Sequence, residues 1–244
     1  MKTTVALLVL VACAHSANLP SSFKKCNRSS PEPAKCYLEA ASDGLPQLTK
    51  AYPEVNLPNF EPMEITELRI AAGSQSVVNV EQIFRDCKLF GLSKLHFDEL
   101  NFDFDEKVLS ASGLIPEIDK RCQYEFNGKI LLLPMVGTGP STIVLKNIKF
   151  TYRSEFEVVE KKNKHFMKFG TTTLSLDPES VSYNFENLFN GDKQLGDNMN
   201  KVLNENHLEV FSDVRKGYEA GLAIVLKQVL SNMFAKVSIE EGFD

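Results

Sequence analysis

Tryptophan is absent from the sequence, and there are only four histidines in 244 residues. None of the histidines has a second histidine or a cysteine at metal-ligand spacing, which excludes zinc sites of the finger or protease kind. There is no Gly-x-Ser-x-Gly elbow and no Walker loop. Gly137-Thr138-Gly139 lacks the third glycine of a dinucleotide fingerprint and precedes a strand-like run, so it reads as a bend or bulge. The acidic cluster Asp98, Glu99, Asp103, Asp105 and Glu106 lacks the glycine and glutamate positions of a calcium loop. Alternation with Leu100, Phe102 and Phe104 places much of it on the wet face of a strand. Basic charge is also in deficit, with a net charge of −5, which argues against nucleic acid or anionic lipid surfaces as partners. No metal, cofactor or catalytic residue is expected, and the chain reads as a non-enzyme.

Long hydrophobic runs are missing too. Val5 to Cys13 is an apolar run of nine, preceded by Lys2 and followed by Ala14-His15-Ser16. That is the pattern of a secretory signal peptide cut after Ser16, and it is too short to span a bilayer. Residues 17–244 then form one domain, expected to be secreted and monomeric. Four cysteines remain. Cys26 and Cys36 flank a polar loop and are expected to pair in an oxidising compartment. Cys87 and Cys122 sit in apolar, strand-like stretches and read either as buried free thiols or as a second bridge. Asn27-Arg28-Ser29 is a glycosylation sequon in the same polar loop, with Asn27 as the acceptor.

What the chain has in surplus is apolar periodicity, with seventeen phenylalanines. Residues 36–51 read as a short amphipathic helix interrupted by Pro46. Prolines 53, 58 and 62 mark an extended segment. From about 64 to 188 the period is near two, and Asn127-Gly128 reads as a hairpin turn between Cys122–Phe126 and Lys129–Leu133. Many strands joined by short turns predict an antiparallel sheet. From Gly196 to Val237 the period lengthens to that of a helix. Met199, Val202, Val210, Val214, Tyr218, Leu222, Val225, Val229 and Met233 form one stripe, with Gly217 and Gly221 as points where the helix would bend. Lys227, Gln228 and Asn232 interrupt its apolar end and argue against a membrane span. The predicted fold is α+β, one long C-terminal helix covered by a large antiparallel sheet.

The run Asn184-Phe185-Glu186-Asn187-Leu188-Phe189-Asn190-Gly191-Asp192-Lys193-Gln194-Leu195-Gly196-Asp197-Asn198-Met199-Asn200, followed by Leu203-Asn204-Glu205-Asn206, resembles the signature of the takeout and juvenile-hormone-binding protein family of insects. Gly128-Lys129-Ile130-Leu131-Leu132-Leu133-Pro134, the early cysteine pair and the terminal Ile239-Glu240-Glu241-Gly242-Phe243 agree with it. The Cys26–Cys36 spacing is wider than usual in the family, and His207 stands where the family usually has tryptophan. The cysteine pattern is closer to the takeout branch, whose members generally carry the single early disulfide. The resemblance implies a TULIP-like roll, in which a strongly curved sheet wraps the helix around an internal apolar tunnel.

It also implies a secreted carrier of a small hydrophobic ligand, such as a terpenoid hormone like juvenile hormone, a fatty acyl chain or a similar lipid. Candidate wall residues are Leu222, Val225, Val229 and Met233 from the helix and Leu132 and Phe150 from strands. Tyr124 or Tyr152 would offer a hydrogen bond to the ligand's polar end. The rival expectation is a signalling protein whose outer surface meets a cell-surface receptor in circadian, feeding or chemosensory behaviour.

Overall fold

A computed structural model describes residues 17–70, 78–130 and 133–244. The expected leader at 1–16 and the candidate Leu132 lie outside the described residues. The chain opens with α1 (Pro33–Gly44), which starts on a proline where no backbone donor is needed. At Pro46 it tightens into a 3-10 turn, Leu45–Thr49. Strands follow as β1 (Met63–Ile70), β2 (Val78–Phe90), β3 (His96–Asp103), β4 (Val108–Ile130), β5 (Leu133–Lys161), β6 (Lys164–Asp177) and β7 (Ser180–Phe185). The helices α2 (Lys193–Glu205), α3 (His207–Phe234) and α4 (Ile239–Phe243) complete it.

Among the described residues the strands form one seven-stranded antiparallel sheet in the order β1-β2-β4-β5-β6. β3 also pairs with β4, and β7 with β5. At about 3.3 Å per residue, the 29 residues of β5 would run to roughly 95 Å if flat. The sheet instead coils around α3. Asn127-Gly128 lies inside β4, paired with Val136 and Met135, and the return strand starts at Leu133. The dipeptide expected to turn therefore lies within the ladder, because continuing it satisfies more backbone groups than turning at the glycine. The Gly-Thr-Gly run, expected as a bend or bulge, lies inside β5 with the register unbroken; Gly137 has φ of +153°, and a Cβ on Gly139 would stand 2.6 Å from the Glu186 carbonyl oxygen.

A change of face near the middle of the long hairpin decides which side chains look inward. On β4 the buried positions are Gly113 and Ile115, then Ile118, Lys120, Cys122, Tyr124 and Phe126. On β5 they are Ser141 and Ile143, then Ile148, Phe150, Tyr152 and Ser154. Both strands swap parity between Ile115 and Ile118 and between Leu145 and Ile148, while the pairing register stays intact. Pro116, which has no N–H to give, and Asn147, at φ of +48°, sit at the swap.

The C-terminal helix is not one rod. It breaks at Asn206, where φ is −115°, and the phase of the apolar stripe resets there. Met199 and Leu203 are buried on α2 while Val202 is exposed. The glycines predicted as bends serve another purpose. A Cβ on Gly217 would stand 2.6 Å from Cγ2 of Ile70, and one on Gly221 would collide with Leu68. The two glycines let the continuous α3 press directly onto β1.

Two disulfides fasten the frame. Cys26 and Cys36 are joined, with Cα atoms 5.7 Å apart. Cys87 and Cys122 form the second bridge, between β2 and β4, at the bulge where Asp86 has φ of +52°. Their loops of 10 and 35 residues correspond to about 3 and 4 kcal/mol in the chain-entropy picture. Among the described residues no helix is long and apolar enough to cross a membrane.

Replacing Gly217 by valine tests the close approach of helix and strand. Removing a helical glycine ordinarily gains up to about 1 kcal/mol. Here overpacking against Ile70 should dominate and lower stability by about 1–3 kcal/mol, read as a lower midpoint in urea or thermal denaturation. An unchanged or raised midpoint would show that the contact is slack.

Candidate functional site

The helix and the sheet do not fill the space between them. A chamber of about 270 Å³ lies between α3 and the inner face of the roll. On α3 it is walled by Phe211, Tyr218, Leu222, Leu226, Val229 and Leu230, one face of the helix at spacings of three, four and seven. Phe211 to Leu230 spans about 28 Å of helix. Opposite stand Ile65 and Leu68 of β1, Ala111, Ile115 and Ile118 of β4, Ile143 and Phe150 of β5, and Leu174 of β6. A second chamber, also about 270 Å³, lies beyond it, lined by Tyr37 of α1, Val229, Met233 and Phe234 of α3 and Phe243 of α4. Phe60, Phe97, Leu100 and Leu109 line both, so the two chambers meet at a waist.

Several of the expected wall residues come together. Phe150, Tyr152, Leu222 and Val229 line the first chamber, and Met233 with Val229 lines the second. Val225 packs against the core beside the first chamber rather than forming its wall. Tyr124 is displaced from the chamber. Its hydroxyl donates to the Glu186 carbonyl at 2.6 Å, and its ring packs among Phe126 and Phe185. Burial pushes that phenol up to about 12. It is already satisfied within the protein and has nothing to offer a ligand.

The polar groups of the first chamber are few. Burial raises the Tyr152 phenol, and its buried hydroxyl has no hydrogen-bond partner in the protein. Tyr218 donates to Gln82 at 3.4 Å, and Tyr183 donates to the carbonyl of His207 at 3.4 Å. Burial raises both phenols. The remaining one is Lys120, the single formally charged side chain among the described residues of the wall. It is only 5% exposed, and its Nζ has no hydrogen-bond partner. Nζ lies 3.2 Å from the centroid of Phe84 and 5.5 Å from that of Tyr218. Desolvation holds its pKa well below the usual lysine range. Sequence reading missed it, although Ile118-Lys120-Cys122-Tyr124-Phe126 is a clean alternation that puts Lys120 on the buried face.

The far chamber is closed by the two ends of the chain. Cys26 donates its N–H to Gly242 at 3.1 Å, and Arg28 to Phe243 at 2.7 Å. Glu241 accepts from Lys25 and from the backbone of Leu19. Glu240 meets Nδ1 of His165 at 2.6 Å and also accepts from the His165 backbone. Partial burial pushes the Glu240 carboxyl up, but its bonds to His165, its own backbone N–H and Ser238 outweigh this and bring it down to about 2.

The conspicuous asparagines of the C-terminal half have structural work. Asn204 of α2 donates to and accepts from the backbone of Tyr183, at 2.7 and 2.8 Å. Asn200, one turn earlier, does the same to Phe185, at 2.9 Å each way. Their carboxamides stand in for a neighbouring strand along the free edge of β7. Asp192 caps α2 by accepting from Leu195, and His207 accepts from the backbone of Val181 at 3.3 Å.

The sequence matches the model for "Haemolymph juvenile hormone binding protein (JHBP)" over residues 5–244. The chain belongs to that family. It is similar to the "Circadian clock-controlled protein daywake" of Drosophila yakuba, at 24% identity over 235 residues, covering 93% of this chain and 89% of the relative. The Drosophila melanogaster protein of the same name is 24% identical over 249 residues, covering 98% of this chain and 95% of its own length. Among solved structures, Takeout 1 of Epiphyas postvittana superposes with a TM-score of 0.77 at 23% identity, over 90% of this chain and 99% of that one. The fold is thus the takeout roll, and the family is one of ligand-binding proteins.

The closure of the far chamber generates a pH test. A carboxyl lowered on folding stabilises the protein fully above its ordinary value of 4.5, and that contribution is lost as pH falls towards 2. Glu240→Gln should therefore be less stable than wild type above pH 4.5, with thermal midpoints converging towards pH 2. Parallel curves across that window would show that Glu240 does not fasten α4.

Proposed function

We propose that the protein is a secreted carrier that holds an elongated hydrophobic ligand in the two-chamber tunnel. The observation that carries this reading is the first chamber itself. It is about 28 Å long beside α3 and walled almost wholly by aliphatic and aromatic side chains. At roughly 1.2 Å of extension per bond, that length accommodates about twenty carbon–carbon bonds. Fifteen buried methylenes would contribute roughly 12 kcal/mol of transfer free energy. Lost ligand freedom offsets a good part of this. Such a ligand leaves water almost entirely, and a wall with few polar groups discriminates by length and girth more than by hydrogen bonding.

Secretion is supported by the leader-like pattern of residues 1–16, by the two disulfides and by the haemolymph character of the family. Asn27 is exposed and its side chain accepts from the Ser29 backbone at 2.7 Å, in keeping with a glycosylated surface turn.

Ala111 is a small residue in the wall of the first chamber, and Ala111→Trp fills that space without touching the surface. The variant should fold and lose binding of a fluorescent fatty-acid probe by about tenfold or more. Equal binding by both proteins would locate the probe elsewhere. No binding to either would shift the function to the outer surface.

A further inference from the structure

We propose that Lys120 anchors the polar end of the ligand and selects a single-chain lipid that carries a carboxylate. The proposal deepens the carrier reading and rests on it. A primary amine has three bonds to make or offer, and the Lys120 Nζ makes none within the protein. Buried polar groups are ordinarily satisfied, so an unsatisfied one that lines a ligand-sized chamber marks where ligand polarity belongs.

The amine is also aimed. The faces of Phe84 and Tyr218 back it, at 3.2 and 5.5 Å to their centroids. Lys120 is fixed by its strand between Ile118 and Cys122, so it cannot swing out to solvent without breaking the ladders to β2 and β5. It stands at the Tyr183 and Tyr218 end of the first chamber, far along β4 from the waist at Leu109.

A carboxylate matches this geometry better than a neutral oxygen. Among the described residues no acidic side chain lines the chamber, so none of them neutralises an ammonium there. Burial holds the pKa of Lys120 well below the usual lysine range, so a lone ammonium is disfavoured in the chamber without a counter-charge. An entering carboxylic acid brings both the proton and the counter-charge, and the pair is neutral as a whole. The charge-assisted bond formed is stronger than one to an ester or ether oxygen. The ligand then lies with its head at Lys120 and its tail running along α3 towards the second chamber.

The test compares hexadecanoic acid with its methyl ester, each displacing a fluorescent probe from the full secreted chain. Wild type should bind the acid about tenfold or more tightly than the ester. Lys120→Met keeps the length and apolar stem, and should reverse that order while still binding the ester, since a bare apolar chamber disfavours a carboxylate. Equal binding of acid and ester by wild type would overturn the proposal and leave the carrier reading standing. Retention of the acid preference in the methionine variant would overturn it as well. Failure of wild type to bind either compound would overturn both readings. The wild-type comparison decides the matter even if the variant does not fold.

Discussion

The pairing of β4 with β5 is the constraint on which the rest of the molecule depends. It runs from Val108 opposite Glu155 to Ile130 opposite Leu133. β2 and β3 hang on β4, β6 and β7 on β5, and β1 joins through β2. A ladder this long cannot stay flat, because strand twist accumulates along it. The parity swap at Pro116 and Asn147 turns that twist into a change of inner face. Without the swap, Lys120 and Ile118 would face solvent and Asp119 and Arg121 would face the helix. The register thus determines at once the curvature of the roll, the composition of the tunnel wall and the burial of its one amine.

A cavity between a helix and a sheet is costly, since its lining forgoes dispersion contacts that a packed core would make. The structure compensates at the borders of the cavity rather than inside it. Gly217 and Gly221 bring α3 onto β1 beside the chamber. The Cys87–Cys122 bridge ties β2 to β4 behind its wall, and both sulfurs are buried. At the far end, the rings of Phe102, Phe104, Phe234 and Phe243 close the roll in edge-to-face and stacked contacts, with centroids from 4.9 to 6.5 Å apart. The asparagine clamp on β7 holds the remaining sheet edge without adding a strand.

Much of this was legible in the chain. The α+β class, the antiparallel sheet, the apolar helix and the 26–36 pairing follow from periodicity and spacing. The run at residues 184–206 carries the resemblance to the family in the sequence itself. Its chemistry was hidden, because Asn200 and Asn204 look like surface residues until a strand edge lies beside them. The break at Asn206 was missed because the apolar stripe continues in composition while it shifts in phase. Gly217 and Gly221 were read as bends because local sequence cannot report that a strand lies against them. Tyr124 was chosen for its hydroxyl, and only the fold reveals the Glu186 carbonyl that occupies it. Val225 differs from Leu222 and Val229 by a small rotation on the helix, finer than a stripe of apolar residues resolves.

Lys120 shows why strand faces matter more than composition in reading such a site. A lysine in a net-acidic chain is unremarked in the sequence, and the charged residues Asp119 and Arg121 on either side make the segment look like exposed surface. Yet Arg121 donates to the Asp119 carboxylate on the other face of the strand, at 3.2 and 3.1 Å from Nε and 2.6 Å from a terminal nitrogen. That pairing leaves Lys120 as the inward member of the triplet. A methionine of similar length would fill the same space and avoid the cost of desolvating an amine. The Lys120 Nζ makes no hydrogen bond in the protein and meets only the ring faces of Phe84 and Tyr218. A buried amine that costs stability and makes no hydrogen bond in the protein is what the proposed polar end of a ligand would account for.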